Sequence, residues 1–111
     1  MSILEDFTGG DVGRALALLS PAERKRLEAR ASLRNDKLYL RCYGREKVVR
    51  ATPEEVVRQL WLDRLVNDYG YPLSRIRVED PVVMGRDATK KADIVITDAE
   101  RPEALYAIIE V

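Results

Sequence analysis

Histidine is absent from the 111-residue sequence, and cysteine occurs once. The absence of histidine excludes histidine-dependent catalytic triads and histidine-ligated metal sites within this chain. Cys42 has no partner for an internal disulfide, which fits a reducing cytoplasm, and we interpret it as a small packed hydrophobic residue. Any metal here would depend on carboxylate and carbonyl oxygens, which suit a hard cation such as Mg²⁺.

Long apolar runs are also missing, since no segment approaches the roughly 20 residues of a membrane-spanning helix. The N-terminal residues lack a basic region followed by an apolar stretch, so we predict no secretory signal. Hydrophobic residues make up 46% and charged residues 34%, a balance typical of a soluble globular protein. We expect one domain with a modest core, located in the cytoplasm.

The net charge is zero, but the basic residues are concentrated in one segment. Residues 20–50 contain ten basic residues and four acidic ones. One interpretation is a surface that faces nucleic acid near a metal-binding pocket, and the other is an ordinary solvated helix and hairpin.

Capping signals predict the starts of two helices. Ser20 and Pro21 followed by Glu23 predict a helix that runs to about Leu33. Thr52-Pro53 with Glu55 predicts a second, longer helix that ends near Gly70. The other predicted elements are a short helix at 11–19 and strands at 37–43, 48–50, 75–79 or 75–84, 92–97 and 105–111.

The last two predicted strands are joined by a short polar loop and should form an antiparallel hairpin. The run ALYAIIEV, residues 104–111, suits a buried strand, yet it contains Glu110. If the turn centres between Arg101 and Pro102, Glu110 lies directly across from Asp93, with Cβ atoms roughly 4.5–5.5 Å apart. A register slip of one residue would place the two carboxylates on opposite faces.

Two carboxylates this close repel each other, so something must offset the repulsion. A shared proton, a basic partner such as Lys90 or Lys91, or a divalent cation would each do so. The spacing alone leaves all three open.

The order of a helix, a strand, a strand with Asp and a strand with Glu resembles the PD-(D/E)xK nuclease core. The segments TPEEVVRQLWLDRLVNDYGYP, RIRVE, KKADIVI and IIEV resemble the N-terminal nuclease domain of type I restriction enzyme restriction subunits. The resemblance covers about residues 48–111. It implies an α/β (α+β) fold with a restriction-endonuclease-like core at 48–111, after a helical and hairpin extension at 1–47.

The resemblance also implies roles for individual residues. Asp93 and Glu110 would be the catalytic ligands of Mg²⁺ or Mn²⁺, although Ala92 stands where the family has proline. The backbone carbonyl of Val111 and the carboxylate of Glu55 would be further ligands, and the alternative role of Glu55 is to complete a capping box. The family often has an acid at the position of Glu79. The residues implied to contact DNA are Lys90, Lys91 and Arg86.

The expected parent protein is a Mg²⁺-dependent DNA endonuclease that hydrolyses phosphodiester bonds, with DNA and other restriction–modification subunits as partners. The alternative is a non-catalytic DNA-binding or subunit-assembly module of the same system. The family's motif lysine would fall at position 112, so we expect the chain to be a fragment of a longer polypeptide.

The first prediction is that the purified 111-residue chain does not cleave DNA efficiently, because water activation lacks the motif lysine. Incubation with supercoiled plasmid and Mg²⁺ should leave the plasmid intact. A Mg²⁺-dependent cut that disappears in Asp93→Ala would contradict this expectation.

Overall fold

The fold is mixed α+β, as predicted. The computed structural model describes residues 2–84, 88–101 and 104–111, with the backbone alone at 80–84 and 88–91. In these ranges the helices are α1 (Gly10–Leu16), α2 (Pro21–Glu28) and α3 (Pro53–Asn67). The strands are β1 (Ala31–Arg34), β2 (Lys37–Arg41), β3 (Val48–Arg50), β4 (Ile76–Met84), β5 (Ala88–Thr97) and β6 (Leu105–Ile109). They form two antiparallel sheets, ordered β1-β2-β3 and β4-β5-β6.

The chain divides into two compact units, Met1–Asp63 and Arg64–Val111. The division falls within α3, whereas the predicted domain boundary lay between residues 47 and 48. That boundary marked the start of the family resemblance, and it stays a prediction.

The predicted start of α2 is confirmed, but its predicted end at Leu33 is wrong. The Ser20 hydroxyl accepts the backbone N–H of Glu23 (3.2 Å), and the Glu23 carboxylate accepts the N–H of Ser20 (2.8 Å). This reciprocal pair satisfies two donors that a helix start leaves open. The helix ends at Glu28, and residues 31–34 form β1 instead.

The reason for this difference is the turn at Asn35 and Asp36. Both residues have positive φ, at 52° and 63°, and they connect Arg34 directly to its cross-strand partner Lys37. Asn and Asp tolerate the left-handed region better than most residues do, and positive φ at both central positions is the geometry of tight two-residue hairpins. Asn35 and Asp36 therefore make a hairpin turn, and the residues before them, 31–34, form a strand instead of the end of the predicted helix.

The first sheet turns one face toward the core of the first unit. Leu38 and Leu40 of β2 are 4% and 0% exposed and belong to the buried cluster. The other buried members of this cluster are Leu4, Ala15, Leu16, Leu27, Ala51 and Val56. Burial of each large aliphatic side chain contributes about 1.5–3 kcal/mol, so this cluster supplies much of the stability of the first unit.

In the second unit the central strand β5 is the most deeply buried. Consecutive side chains from Ile94 to Thr97 are at most 2% exposed, so both faces of the strand are covered. Strand β6 lies at the edge of the sheet, and Leu105 and Tyr106 are 47% and 61% exposed. The expectation of a buried final strand is therefore wrong for the described residues, because β6 has a hydrogen-bonded neighbour on one side only.

The carboxylate of Glu28 fastens the N-terminal segment to α2. It accepts hydrogen bonds from the backbone N–H groups of Leu4 (2.9 Å) and Ile3 and from the hydroxyl of Ser2 (3.0 Å). Burial raises the pKa of Glu28, but these three hydrogen bonds and the charge of Arg24 outweigh burial, so the pKa of Glu28 is lowered. The ionised form is therefore the one that the fold stabilises.

The second prediction concerns the pH dependence of this contact. A lowered pKa in the folded state contributes stability above the ordinary glutamate pKa, and this contribution is lost as the pH falls through the folded value. Glu28→Gln should lower the free energy of unfolding at pH 7 and leave it nearly unchanged at low pH, as measured by urea denaturation. Glu5→Gln, which removes an exposed carboxylate, is the matched control. An equal loss at both pH values would contradict the prediction.

Candidate metal centre

The register of β5 and β6 brings the two predicted carboxylates to the same level. Ile94 pairs with Ile109 and Val95 with Ile108, as the predicted turn position requires. One residue further along, the same register brings Asp93 on β5 to the level of Glu110, which directly follows β6. Asp93 is half-buried and Glu110 is exposed, so both carboxylates lie at the boundary between the sheet and solvent.

A backbone hydrogen bond joins Asp93 to the end of this hairpin. The N–H of Val111 donates to Oδ2 of Asp93 at 2.8 Å. Hydrogen bonds to an ionised carboxylate are roughly twice as strong as neutral ones. Residues 93, 110 and 111, which we expected in one site, therefore lie together.

Glu79 on β4 lies at the level of Asp93 on the opposite side of β5. Its neighbours pair on both sides with the neighbours of Asp93, as Val78↔Ile94 and Asp80↔Ala92. Glu79 has a φ of 52°, a strained value for a non-glycine residue that costs about 1–3 kcal/mol. Such strain tends to occur at functional sites. Nothing in the local sequence signals a positive φ at this glutamate, so its strain was not foreseen.

The chemistry of the donors fits a hard cation. Mg²⁺ is usually held by one or two carboxylates together with waters and substrate phosphates. Asp93 and Glu110 would supply the two carboxylates, and the carbonyl of Val111 would supply a further oxygen. Among residues 2–84, 88–101 and 104–111, no group of three or more Asp, Glu, His or Cys side chains is arranged to hold an ion.

Glu55 lies in a different environment, among arginines in the first unit. Its carboxylate accepts hydrogen bonds from Arg45 (2.7 Å), Arg58 (2.7 Å) and Gln59 (3.0 Å), and its side chain is 8% exposed. Thr52 caps the helix as predicted, because its hydroxyl accepts the N–H of Glu55 at 3.1 Å. Two guanidinium groups thus compensate the charge of Glu55, and its role as a metal ligand stays a prediction.

The same network includes Cys42, whose buried position was predicted but whose polar contacts were not. Its sulfur accepts N–H groups of Arg45 (3.2 Å) and Gln59 (3.2 Å). Burial raises the pKa of the Cys42 thiol, but these hydrogen bonds outweigh burial and the pKa of Cys42 is lowered. The available signal was the spacing of Glu55, Arg58 and Gln59, which places them on one face of α3.

The contacts described above do not test the three residues of the second unit that were predicted to contact DNA. Arg86 lies outside the described residues. Lys90 and Lys91 belong to β5, with Val82 and Pro81 as register partners, but their side chains also lie outside the described part of the chain. Both of their proposed roles, phosphate contact and balance of the acids, stay predictions.

Comparison with models of protein families assigns the chain to one family. The family model described as Type I restriction enzyme R protein N terminus (HSDR_N) matches residues 53–111, slightly more than half of the chain. The chain therefore belongs to this family, which associates it with restriction–modification. Neither curated proteins nor solved structures give a match. In the described ranges, no helix combines the length and the apolar character that crossing a membrane requires.

The third prediction separates the structural role of Glu55 from a ligand role. Glu55→Gln should lower the free energy of unfolding by about 3 kcal/mol, because removing one member of a buried ion pair leaves the other charge uncompensated. Urea denaturation with EDTA and with Mn²⁺ should give the same loss. The control is Glu54→Gln, whose side chain is 62% exposed in its contact with Arg58, and its effect should stay below about 1 kcal/mol. A Glu55→Gln loss that appears only with Mn²⁺ would contradict the structural role.

Proposed function

We propose that this chain carries the metal-binding part of a Mg²⁺-dependent endonuclease that hydrolyses the phosphodiester bonds of DNA within a restriction–modification system. The observation that supports the proposal most directly is the β5–β6 register, which brings Asp93 and Glu110 to one level at the end of the sheet. Membership of the restriction-subunit family supports DNA as the substrate.

The electrostatics of the pair favour a cation. A half-buried carboxylate on β5 and an exposed one directly after β6 repel each other when they lie close together, and a positive charge or a proton between them removes the repulsion. The hydrogen bond from the N–H of Val111 to Oδ2 of Asp93 holds this carboxylate at the end of the hairpin. A carboxylate pair held in this way is prepared to bind before the ion arrives.

The ion, when bound, would stabilise the charge that develops on the phosphate and lower the pKa of a coordinated water. The residues of this chain would orient it. Asp93 and Glu110 would hold the ion at one end of the sheet, and Mg²⁺ held by one or two carboxylates usually keeps waters and substrate phosphate oxygens as further ligands.

The alternative, a binding or assembly module without chemistry, makes a different prediction about the same residues. It requires DNA or subunit binding that does not change when Asp93 and Glu110 are neutralised. The endonuclease proposal requires a cation effect that depends on both carboxylates.

The fourth prediction is that Mn²⁺, used as a probe of the Mg²⁺ site, raises the Tm of the chain. Binding to the folded state alone contributes about 1.4 kcal/mol at a tenfold excess over Kd, which corresponds to several degrees for a domain of this size. Glu110→Gln and Asp93→Asn should each abolish the rise in a thermal melt monitored by circular dichroism.

The matched control is Glu100→Gln, which removes an exposed carboxylate from the loop after β5 and should keep the full rise. If Mn²⁺ at millimolar concentration leaves the wild-type Tm unchanged, the metal site is refuted. A rise that persists in Glu110→Gln would mean that the cation binds elsewhere.

A further inference from the structure

The outward face of the first sheet carries a cluster of cations. Because side chains alternate along a strand, Lys37, Tyr39 and Arg41 of β2 lie on the face opposite Leu38 and Leu40. The register places Arg34 beside Lys37 and Arg50 beside Tyr39 on this same face. We call the set Arg34, Lys37, Arg41 and Arg50 the cationic face.

All four side chains of the cationic face are exposed. The three strands contain no acidic residue, since Asp36 lies in the turn and Glu46 in the loop before β3. In the described part of the chain, no ion pair involves these four residues. Within the described part of the first unit, no side-chain ion pair therefore neutralises the positive charge of this face.

Tyr39 lies at the centre of the cationic face and is half-buried. The guanidinium carbon of Arg34 lies 5.3 Å from the centroid of its ring. A cation over a ring at this distance is attracted by the negative face of the ring. This contact holds the Arg34 side chain over the sheet. It therefore lowers the side-chain conformational entropy that Arg34 would lose on binding a ligand.

The structure sorts the basic residues of segment 20–50 into two groups. Arg26 and Arg45 are paired with acids, Arg30 donates to Gln59, and Arg24 donates to the backbone carbonyls of Leu16 and Leu4. Six of the ten basic residues are exposed, namely Lys25, Arg34, Lys37, Arg41, Lys47 and Arg50. Four of these six form the cationic face, so the charge surplus of the segment is concentrated on one surface.

We infer that the cationic face binds the phosphate backbone of duplex DNA. Lys37 and Arg41 lie roughly 13 Å apart along β2, four residues at about 3.3 Å each, and the neighbouring strands lie about 4.8 Å to either side. A flat array of this size meets several phosphates of one duplex, whose charge density is one per roughly 1.7 Å of helix axis. Because the contacts are to phosphate, the binding does not depend on base sequence.

The choice of DNA as the ligand of this face rests on the proposed function. The positive charge of the face is an observation that is independent of that proposal. An acidic protein surface would also be attracted, but Tyr39 and Val48, which lie on this face among the four cations, give few of the apolar anchors that protein interfaces use. The cationic face lies N-terminal to residues 53–111, which the family model matches, so it adds a contact beyond the matched region.

The fifth prediction tests this surface by the salt dependence of binding. Anisotropy of a labelled duplex of mixed sequence, titrated with the 111-residue chain in EDTA, should give a slope of log K against log salt near −3.6 if four phosphates are neutralised. The double variant Lys37→Gln/Arg41→Gln should bind more weakly and flatten the slope by about 1.8.

The matched control is Arg14→Gln/Lys25→Gln, which removes two exposed positive charges from α1 and α2 and should keep the wild-type slope. Equal flattening in both double variants, or no binding by the wild type, would overturn the cationic face as a DNA site. Tighter binding of a duplex RNA of the same sequence would overturn DNA as its partner. Since EDTA removes cations, this titration does not depend on metal binding, and failure here is distinguishable from failure of the metal site, which the Mn²⁺ melt tests separately.

Discussion

The hydrogen-bonded register between β5 and β6 determines which side chains lie together at the end of the second sheet. Side chains change face with every residue along a strand, so a slip of one position would separate Asp93 from Glu110. The pairs that fix this register are apolar, and the β5 partners Ile94 and Val95 are fully buried. A slip of β6 would exchange its half-buried face, with Ala107 and Ile109, for its exposed face, with Tyr106 and Ile108. Partial burial of one face of β6 therefore favours the register that brings Asp93 and Glu110 to one level.

A different solution to the same electrostatic problem operates around Glu55. There the negative charge is buried and two arginines compensate it, with Gln59 and Cys42 completing a network of hydrogen bonds. Glu55 is thus a buried carboxylate with arginine partners, whereas Asp93 and Glu110 lie at the boundary between the second sheet and solvent. The family resemblance assigned all three to one role, whereas their surroundings differ.

The sequence was most informative where local chemistry decides the structure. The caps at Ser20 and Thr52 and the left-handed Gly70, with a φ of 76°, are set by neighbouring residues and were predicted correctly. The register from Ile94 to Ile96 matched the prediction from loop length and alternation, whereas the shift that pairs Thr97 with Leu105 was not predicted. The sequence was least informative where a residue has two local meanings. Asn35-Asp36 suits a helix stop as well as a turn, and only the pairing of β1 with β2 selects between them. The partners of Glu55 were missed for a different reason. Arg45 belongs to the loop between β2 and β3 and contacts Glu55 on α3 only once the unit has folded.

The tight turn at Asn35 and Asp36 has a consequence for how the first unit assembles. A two-residue loop closes at a small entropic cost, and hairpins of this kind form in about 1–10 μs. Strand β3 follows through another short loop, so the first sheet is built from contacts between near neighbours in sequence. Folding that begins there would place Arg34, Lys37 and Arg41 side by side on the nascent chain early in assembly. Their mutual repulsion would then oppose the first folding step, and counter-ions or a polyanion would accelerate it.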